Sequence, residues 1–600
     1  MLAFIKKHYL TIIYIFIFIT IVLIINPFHE AAFTDDWAYA KMAKELAHEG
    51  QYKFDHWAVA SPIFQVFYGA LLVKIFGFSF GLLKTSTILV AFLGFIGLYY
   101  LALEYKLKPK LSLLLTFILA SSPLVALLSF TFMTDIPYMS FFILSMLFYT
   151  KALKQNNYRY MLIASIFSSL AILIRQNGYF IPLGLTLLWL IKQKRREKLK
   201  FYIIGLILPY LAIIFQIFYS LSQSNWGTKY VAYTQSLYFS NPTVMLLNFA
   251  GRIPIILIYL SLFTLPLVSC TIFDYLLKLN KKLLVILLLL TSTFILGLIL
   301  FSTLLHITLF GRVVLIMLEI TTLLLYRQLI RLHRLPFKIK DLSAKNKLYI
   351  ILKILLSFLY IFGVLYLLNG QKDLLLPYLP WNFEILHDIP LITRLLLTLF
   401  CLVGSLFIAR LIYVNIVKNL FQNRIKPDSV LLFHLIMGMS FLSHLAYYQL
   451  GDEYLLIYLP YIIIVLGVML ESLIIKLINY IYITSLILLI GISLWTRSML
   501  ESSQANWLAA EYIRNQGVSS NNISTSWEWI AYYEHDNYLK SRNYNYEEGH
   551  EDFFGRYIQR EKSVQYLVTE NIDGKHTKIM RVFPYRDVFL KQRYVYAVRK

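Results

Sequence analysis

Four short runs hold the residues that could do chemistry. The first, Thr34-Asp35-Asp36-Trp37-Ala38-Tyr39, sets two carboxylates side by side. Adjacent residues on a helix point in different directions, so one acid could face a reaction centre while the other orients a neighbour or binds a cation. The same run is also good helix-cap chemistry, with Thr34 or Asp35 ahead of an amphipathic stretch. In Phe130-Thr131-Phe132-Met133-Thr134-Asp135-Ile136-Pro137, Asp135 is either a second functional acid or a first-turn acid followed by proline. Ala171-Ile172-Leu173-Ile174-Arg175-Gln176-Asn177-Gly178 ends a short apolar run on Arg175, which could snorkel to lipid headgroups or bind a phosphate. Asp452-Glu453-Tyr454 opens a late apolar segment, where capping competes with a donor-binding role for Asp452 and Tyr454.

Metal chemistry is less well supplied. His29, Glu30, His48, Asp55 and His56 could join Asp36 around an ion, but their spacing matches no standard zinc pattern. No cofactor is assigned, and participation of a divalent cation stays open. The two cysteines, Cys270 and Cys401, both lie in apolar segments, which leaves no disulfide framework.

The elements that must position these residues are membrane helices. A chain of 600 residues that is 59% hydrophobic and only 15% charged, with a mean hydropathy of +0.65, has too few charges for a soluble globular protein. Its net charge of +24 would suggest nucleic acid if the basic residues formed one patch, but they recur in short runs between apolar segments. Nucleic acid is therefore excluded as a partner, and membrane lipids are expected instead.

After a first span at 11–25, apolar length places helices at 84–104, 111–128, 138–151, 159–174, 179–191, 201–221 and 251–277. Further spans are expected at 283–305, 313–329, 348–368, 391–416, 429–447, 454–475 and 477–496. With the N-terminus in the cytoplasm, the basic connections at 106–110, 192–200, 278–282, 327–347 and 418–426 all fall inside. Residues 27–75 then form a large outer loop with amphipathic pieces, and all four candidate runs meet the outer face.

From Arg497 onward the composition changes, with 15 of the 56 basic and 13 of the 32 acidic residues. A helix at 501–517 and strand-like runs at 523–529, 564–569, 579–583 and 594–598 indicate a small extracytoplasmic α+β domain. The expected fold is an all-α polytopic membrane protein of roughly 13–15 transmembrane helices at about 20 residues each. Its divisions are a membrane domain at 1–496 and a soluble domain at 497–600. The soluble part is expected to receive an acceptor or steady the helices rather than perform the chemical step, with Trp527 and Trp529 serving a small core or stacking on sugar.

Taken in order, the acidic pair with Tyr39, the Ala60-Ser61-Pro62 segment, Asp135 and a basic residue before Gly178 resemble glycosyltransferase family 39 and its GT-C relatives. These include protein O-mannosyltransferases and bacterial aminoarabinose transferases. The likeness covers residues 10–220, and the segment at 448–461 looks like the family's late Asp-Arg-Tyr-Leu-Leu-Pro motif. Glu453 stands where that motif usually has arginine, and Ala60-Ser61-Pro62 stands where the aminoarabinose branch has Lys-Pro-Pro.

The resemblance implies a bundle of membrane helices with its site at the outer face of a bacterial plasma (inner) membrane. It further implies a polyprenyl-phosphate-sugar donor and a glycan, lipid or protein acceptor. Carried over by position, Asp35 would be the general base and Asp36 its neighbour where glutamate is commoner. Tyr39 keeps its place, Asp135 would organise the catalytic loop or acceptor, and Arg175 would meet the donor phosphate. The competing class is a lipid-linked glycan flippase or transporter, which could also expose acids and arginines. Related halves with interrupted helices would mark a transporter, and the two halves of this sequence do not match.

Overall fold

In the computed structural model, apolar length becomes helix and polar punctuation ends it. The structure describes residues 15–59, 61–192, 199–223, 226–277, 391–412, 428–447, 450–451, 453–543, 545, 553, 563–572 and 578–600. Within these, helices Phe80–Glu104, Asp135–Gln155, Leu199–Ser222, Asp428–Ala446 and Ile478–Asn515 are long and apolar enough to cross a membrane. The fold is that of a mostly helical polytopic membrane protein with a small C-terminal sheet. The spans expected at 283–305, 313–329 and 348–368 lie outside the described residues.

The chain falls into two compact units. One contains Met1–Leu237, Ile425–Leu442 and Leu456–Lys600. Its first helices are α1 (Ile15–Ile25), α2 (Asp36–Glu49), α3 (Ile63–Phe76), α4 (Phe80–Glu104) and α5 (Pro109–Ala120). They continue as α6 (Pro123–Leu128), α7 (Asp135–Gln155), α8 (Tyr158–Ile172), α9 (Phe180–Ile191) and α10 (Leu199–Ser222). Local chemistry sets the joints. Gly50 takes the left-handed conformation that closes α2. The Ser79 hydroxyl accepts Leu82 N–H at the start of α4, while the Glu30 carboxylate accepts Phe80 N–H at 2.9 Å and Gly81 N–H at 3.1 Å. Asn157 caps α8 through the N–H groups of Arg159 and Tyr160. The expected span at 111–128 is two helices, broken where Ser121-Ser122 meets Pro123.

Packing in this bundle uses close backbone approach. Gly94 on α4 lies against Ser140 on α7, where any side chain would collide with the serine. Tyr149 of α7 donates its hydroxyl to Gly205 O of α10 at 2.8 Å. The two ends of the bundle differ in character. One end joins the basic connections: Lys154 to Glu104 at 3.2 Å, Lys192 to Asp428 at 3.0 Å, and the Tyr482 hydroxyl to Lys110 O at 2.6 Å. The other gathers the segments around Asp35, Asp135 and Arg175.

That second end is covered by the C-terminal region. The Ile478–Asn515 helix has 38 residues, about 57 Å at 1.5 Å per residue, against a hydrocarbon core of about 30 Å. It therefore runs without interruption past residue 497 into a four-stranded sheet region. The strands β1 (Ile523–Ser524), β2 (Tyr566–Thr569), β3 (Lys578–Arg586) and β4 (Gln592–Arg599) lie in the order β1-β2-β4-β3. β1 runs parallel to β2, and the other pairs are antiparallel, with a register shift between Ile579 and Arg581. The strand expected at 523–529 stops at Ser524, because Trp527 begins a helix that runs to Ser541 with Glu528 in its first turn.

The other unit holds Tyr238–Arg424 and Ser443–Leu455. Its described helices include Pro242–Phe263, Leu265–Leu277 and Leu391–Ile412, the last burying Cys401 as a free thiol. Arg252 donates to the carbonyls of His444 at 3.3 Å and Leu445 at 3.0 Å, and also to that of Tyr447.

Candidate active site

Asp35 sits at the cap position of α2, yet its carboxylate makes no cap hydrogen bond. Its Oδ1 instead accepts the indole N–H of Trp57 at 2.9 Å. Burial pushes the Asp35 carboxyl up to about 6; the Trp57 donor pulls it down, the Asp135 charge raises it, and the Arg175 charge lowers it. Asp35, Asp135 and Arg175 thus share one electrostatic neighbourhood, and Asp35 remains mostly ionised at neutral pH.

The second acid is tied differently. Asp36 is fully buried, its Oδ1 accepting Phe33 N–H at 2.7 Å and its Oδ2 accepting Phe132 N–H at 3.2 Å. Burial raises its carboxyl to about 6, against the Lys84 charge and the two N–H donors. The sequence groups Asp36 with the reacting acids. In the structure it stitches the turn before α2 to the segment before α7, because both oxygens are spent on backbone donors.

Asp135 begins α7 with 2% of its surface exposed, and its Oδ1 is paired with the Arg175 guanidinium. Its Oδ2 is buried with no hydrogen-bond partner among the described residues. Arg175 lies between α8 and a short 3-10 turn at Gln176–Tyr179. Gly178 makes that turn possible, since a Cβ there would stand 2.8 Å from Ile172 Cα. Pairing with Asp135 replaces the lipid-snorkelling reading of Arg175. Beside it, Gln176 Nε2 donates to Val59 O and Ser61 Oγ, both at 3.4 Å, which fixes the Ser61-Pro62 segment to the same corner.

Tyr39, one turn into α2, is 5% exposed. Burial drives its hydroxyl well above the usual phenol range, with the Asp35 charge adding to the rise. Tyr454 lies in the other compact unit, stacked on His444 with ring centroids 5.9 Å apart, and Asp452 falls outside the described residues. Among the described residues, no three His, Cys, Asp or Glu side chains cluster as metal ligands.

Two contributors went unnoticed in the sequence. Trp57 is one. Lys84 is the other: it is 1% exposed in the second turn of α4 and donates to Ala31 O at 2.6 Å and His29 O at 3.2 Å. A charge so near an apolar run was its available signal.

A family model described as dolichyl-phosphate-mannose-protein mannosyltransferase matches residues 60–220, which contain Asp135, Arg175 and Gly178. Over that segment the chain resembles this family. No curated protein sequence matches the chain. Among solved structures, the ArnT of Cupriavidus metallidurans bound to undecaprenyl phosphate is 11% identical, with a TM-score of 0.42 and 98% of both chains covered. The apo oligosaccharyltransferase of Archaeoglobus fulgidus is also 11% identical with a TM-score of 0.42, over 95% of this chain and 70% of that one.

Proposed function

We propose that the chain transfers a sugar from a polyprenyl-phosphate donor to an acceptor hydroxyl at the extracytoplasmic face of a bacterial inner membrane, with Asp35 as general base. One observation carries this reading. Asp35 occupies a helix-cap position without capping, and its carboxylate is instead oriented by an indole N–H within the field of an acid–arginine pair. A carboxyl pushed up to about 6 is ionised at neutral pH and better matched to accepting a proton than an ordinary aspartate.

In this reaction Asp35 takes the proton of the acceptor hydroxyl as its oxygen attacks the anomeric carbon. The bond to the lipid phosphate breaks from the opposite face, so the anomeric configuration inverts. Arg175 offsets charge developing on the departing phosphate, and the buried Asp135 fixes the guanidinium for that task. Tyr39 lines the same corner and contacts substrate. Asp36 holds the loop rather than the proton.

The acceptor is a glycan, lipid or protein hydroxyl. The experiment incubates the purified protein in nanodiscs with a panel of undecaprenyl-phosphate sugars, with mannose first, plus a cell-envelope lipid and glycan extract. Release of undecaprenyl phosphate that depends on Asp35 supports the transferase. Donor movement across the bilayer with its sugar bond intact would support a flippase and overturn the reading.

A further inference from the structure

The Trp527–Ser541 helix lies more than 490 residues beyond Asp35 in the chain, yet it reaches Asp35 from two sides. Thr34, the residue before Asp35, has a φ of 57°, a left-handed conformation that a β-branched residue adopts only when its surroundings impose it. The surroundings here are largely C-terminal. The Glu528 carboxylate, in the first turn of that helix, lies beside the Thr34 N–H, whose dipole favours its charged form. Two residues earlier, Ala32 O accepts the Ser503 hydroxyl at 2.8 Å. The strained turn is therefore tied at Ala32 and flanked at Thr34 by one region.

The carboxylate of Asp35 is reached as well. Its donor Trp57 packs its ring 5.8 Å from Trp37 of α2 and 5.7 Å from Trp527, with Phe553 at 6.2 Å. Trp527 and Phe553 both belong to the C-terminal region. Farther along α2, Lys41 pairs with Asp536 at 2.6 Å, and Lys44 donates to the Tyr532 hydroxyl at 3.4 Å. These contacts hold the two helices in one register.

We infer that the C-terminal region positions the base: Ser503 ties down the turn that presents Asp35, Glu528 stands against its Thr34 N–H, and Trp527 backs the indole that orients the carboxylate. This rests on Asp35 as the base. The C-terminal region then contributes to the chemical step, not only to acceptor reception or to steadying the helices. Misplacing a reacting group by about an ångström costs on the order of a hundredfold in rate, so such a support affects turnover rather than donor affinity.

The test uses full-length protein in nanodiscs and compares Glu528→Ala with Glu528→Gln, whose amide oxygen can still face the Thr34 N–H. Amide hydrogen exchange over residues 32–36 should speed up by about tenfold in Glu528→Ala and stay within about twofold of wild type in Glu528→Gln. In parallel, kcat for release of undecaprenyl phosphate should fall about tenfold in Glu528→Ala with KM unchanged. Glu528→Ala should add little further loss in an Asp35→Asn background, since the residue being positioned is already disabled. If Glu528→Ala fails to fold, Ser503→Ala, which removes one hydrogen bond on the other side of the turn, should show the same exchange and kcat changes in smaller measure. Wild-type exchange in a folded Glu528→Ala overturns the proposal, and so does faster exchange with unchanged kcat. Full turnover by Asp35→Asn would remove the base assignment instead, while leaving the exchange result to judge the grip on the turn.

Discussion

Arg175 does not stand alone at the end of its helix: its guanidinium is paired with Asp135, forty residues earlier, with Asp135 almost wholly buried and the arginine side chain 14% exposed. A buried carboxylate stripped of its only ionic partner destabilises a fold by about 3 kcal/mol or more. Arg175→Ala should accordingly lower the melting temperature and raise the KM for donor while reducing kcat. Adding Asp135→Asn should recover the stability but not the activity. Thermal unfolding and steady-state kinetics on the two variants check this, and recovery of both properties would reduce the pair to a structural role.

Asp35 supplies the pH dependence. Its carboxyl is raised to about 6 in the folded protein, so the base is lost by protonation as pH falls through about 6, not near 4. A plot of log kcat/KM against pH should bend downward below about 6, and Asp35→Asn should lower turnover by about a hundredfold and abolish the bend.

Stability moves the other way. A raised carboxyl binds its proton more tightly in the native state than in the unfolded one. Asp35 therefore reduces stability as pH rises from about 4 to 6, and the cost persists at pH 7. Removing the charge in Asp35→Asn should stabilise the protein at pH 7 by about 1–2 kcal/mol, a figure reduced for the carboxylate's partial exposure. Denaturation at pH 7 and pH 4 checks the sign, with a smaller gain expected at pH 4.

Lys84, in the second turn of a largely apolar helix, joins the carbonyls of His29 and Ala31 to the field of Asp36. Lys84→Met keeps the length of the side chain but strands both the carbonyls and the buried Asp36. A loss of about 3 kcal/mol is expected, with activity falling together with the folded fraction. A well-folded Lys84→Met protein of normal stability would contradict this account of Asp36.

Gln51 and Asn543 are exposed on the two segments that meet across the site. Single cysteines at these positions should be labelled by an impermeant thiol reagent on intact cells. One at Gln193, within a basic connection, should not be. Labelling confined to position 193 would turn the site toward the cytoplasm.

Asp35, Asp135 and Arg175 could each be singled out in the sequence, because an acid or arginine at the edge of an apolar run is conspicuous. Their convergence followed from placing three segments at the same end of the bundle. Trp57 could not be found that way, since a tryptophan in an aromatic loop looks the same whether it packs or donates to a carboxylate. Glu528 was hidden by distance along the chain and by its surroundings: the β-prone residues from Ile523 read as one strand, whereas the acid in the first turn and tertiary packing start a helix at Trp527. The helix interruptions at 121–123 were legible as Ser-Ser-Pro, but apolar length outweighed them. Regular patterns reported the bundle; the individual side-chain partnerships that tune the acids have no period to read.

The Ile478–Asn515 helix has a mechanical consequence. It contains no proline and no break along its 38 residues, so it acts as a stiff lever embedded at one end in lipid. A change in bilayer thickness that alters its tilt swings the far end through an arc. Ser503 rides on that arm, joined to the turn before Asp35. The lipid environment therefore bears on the geometry of the carboxylate through a rigid rod, and the bilayer acts as a mechanical input to the reaction centre as well as its solvent.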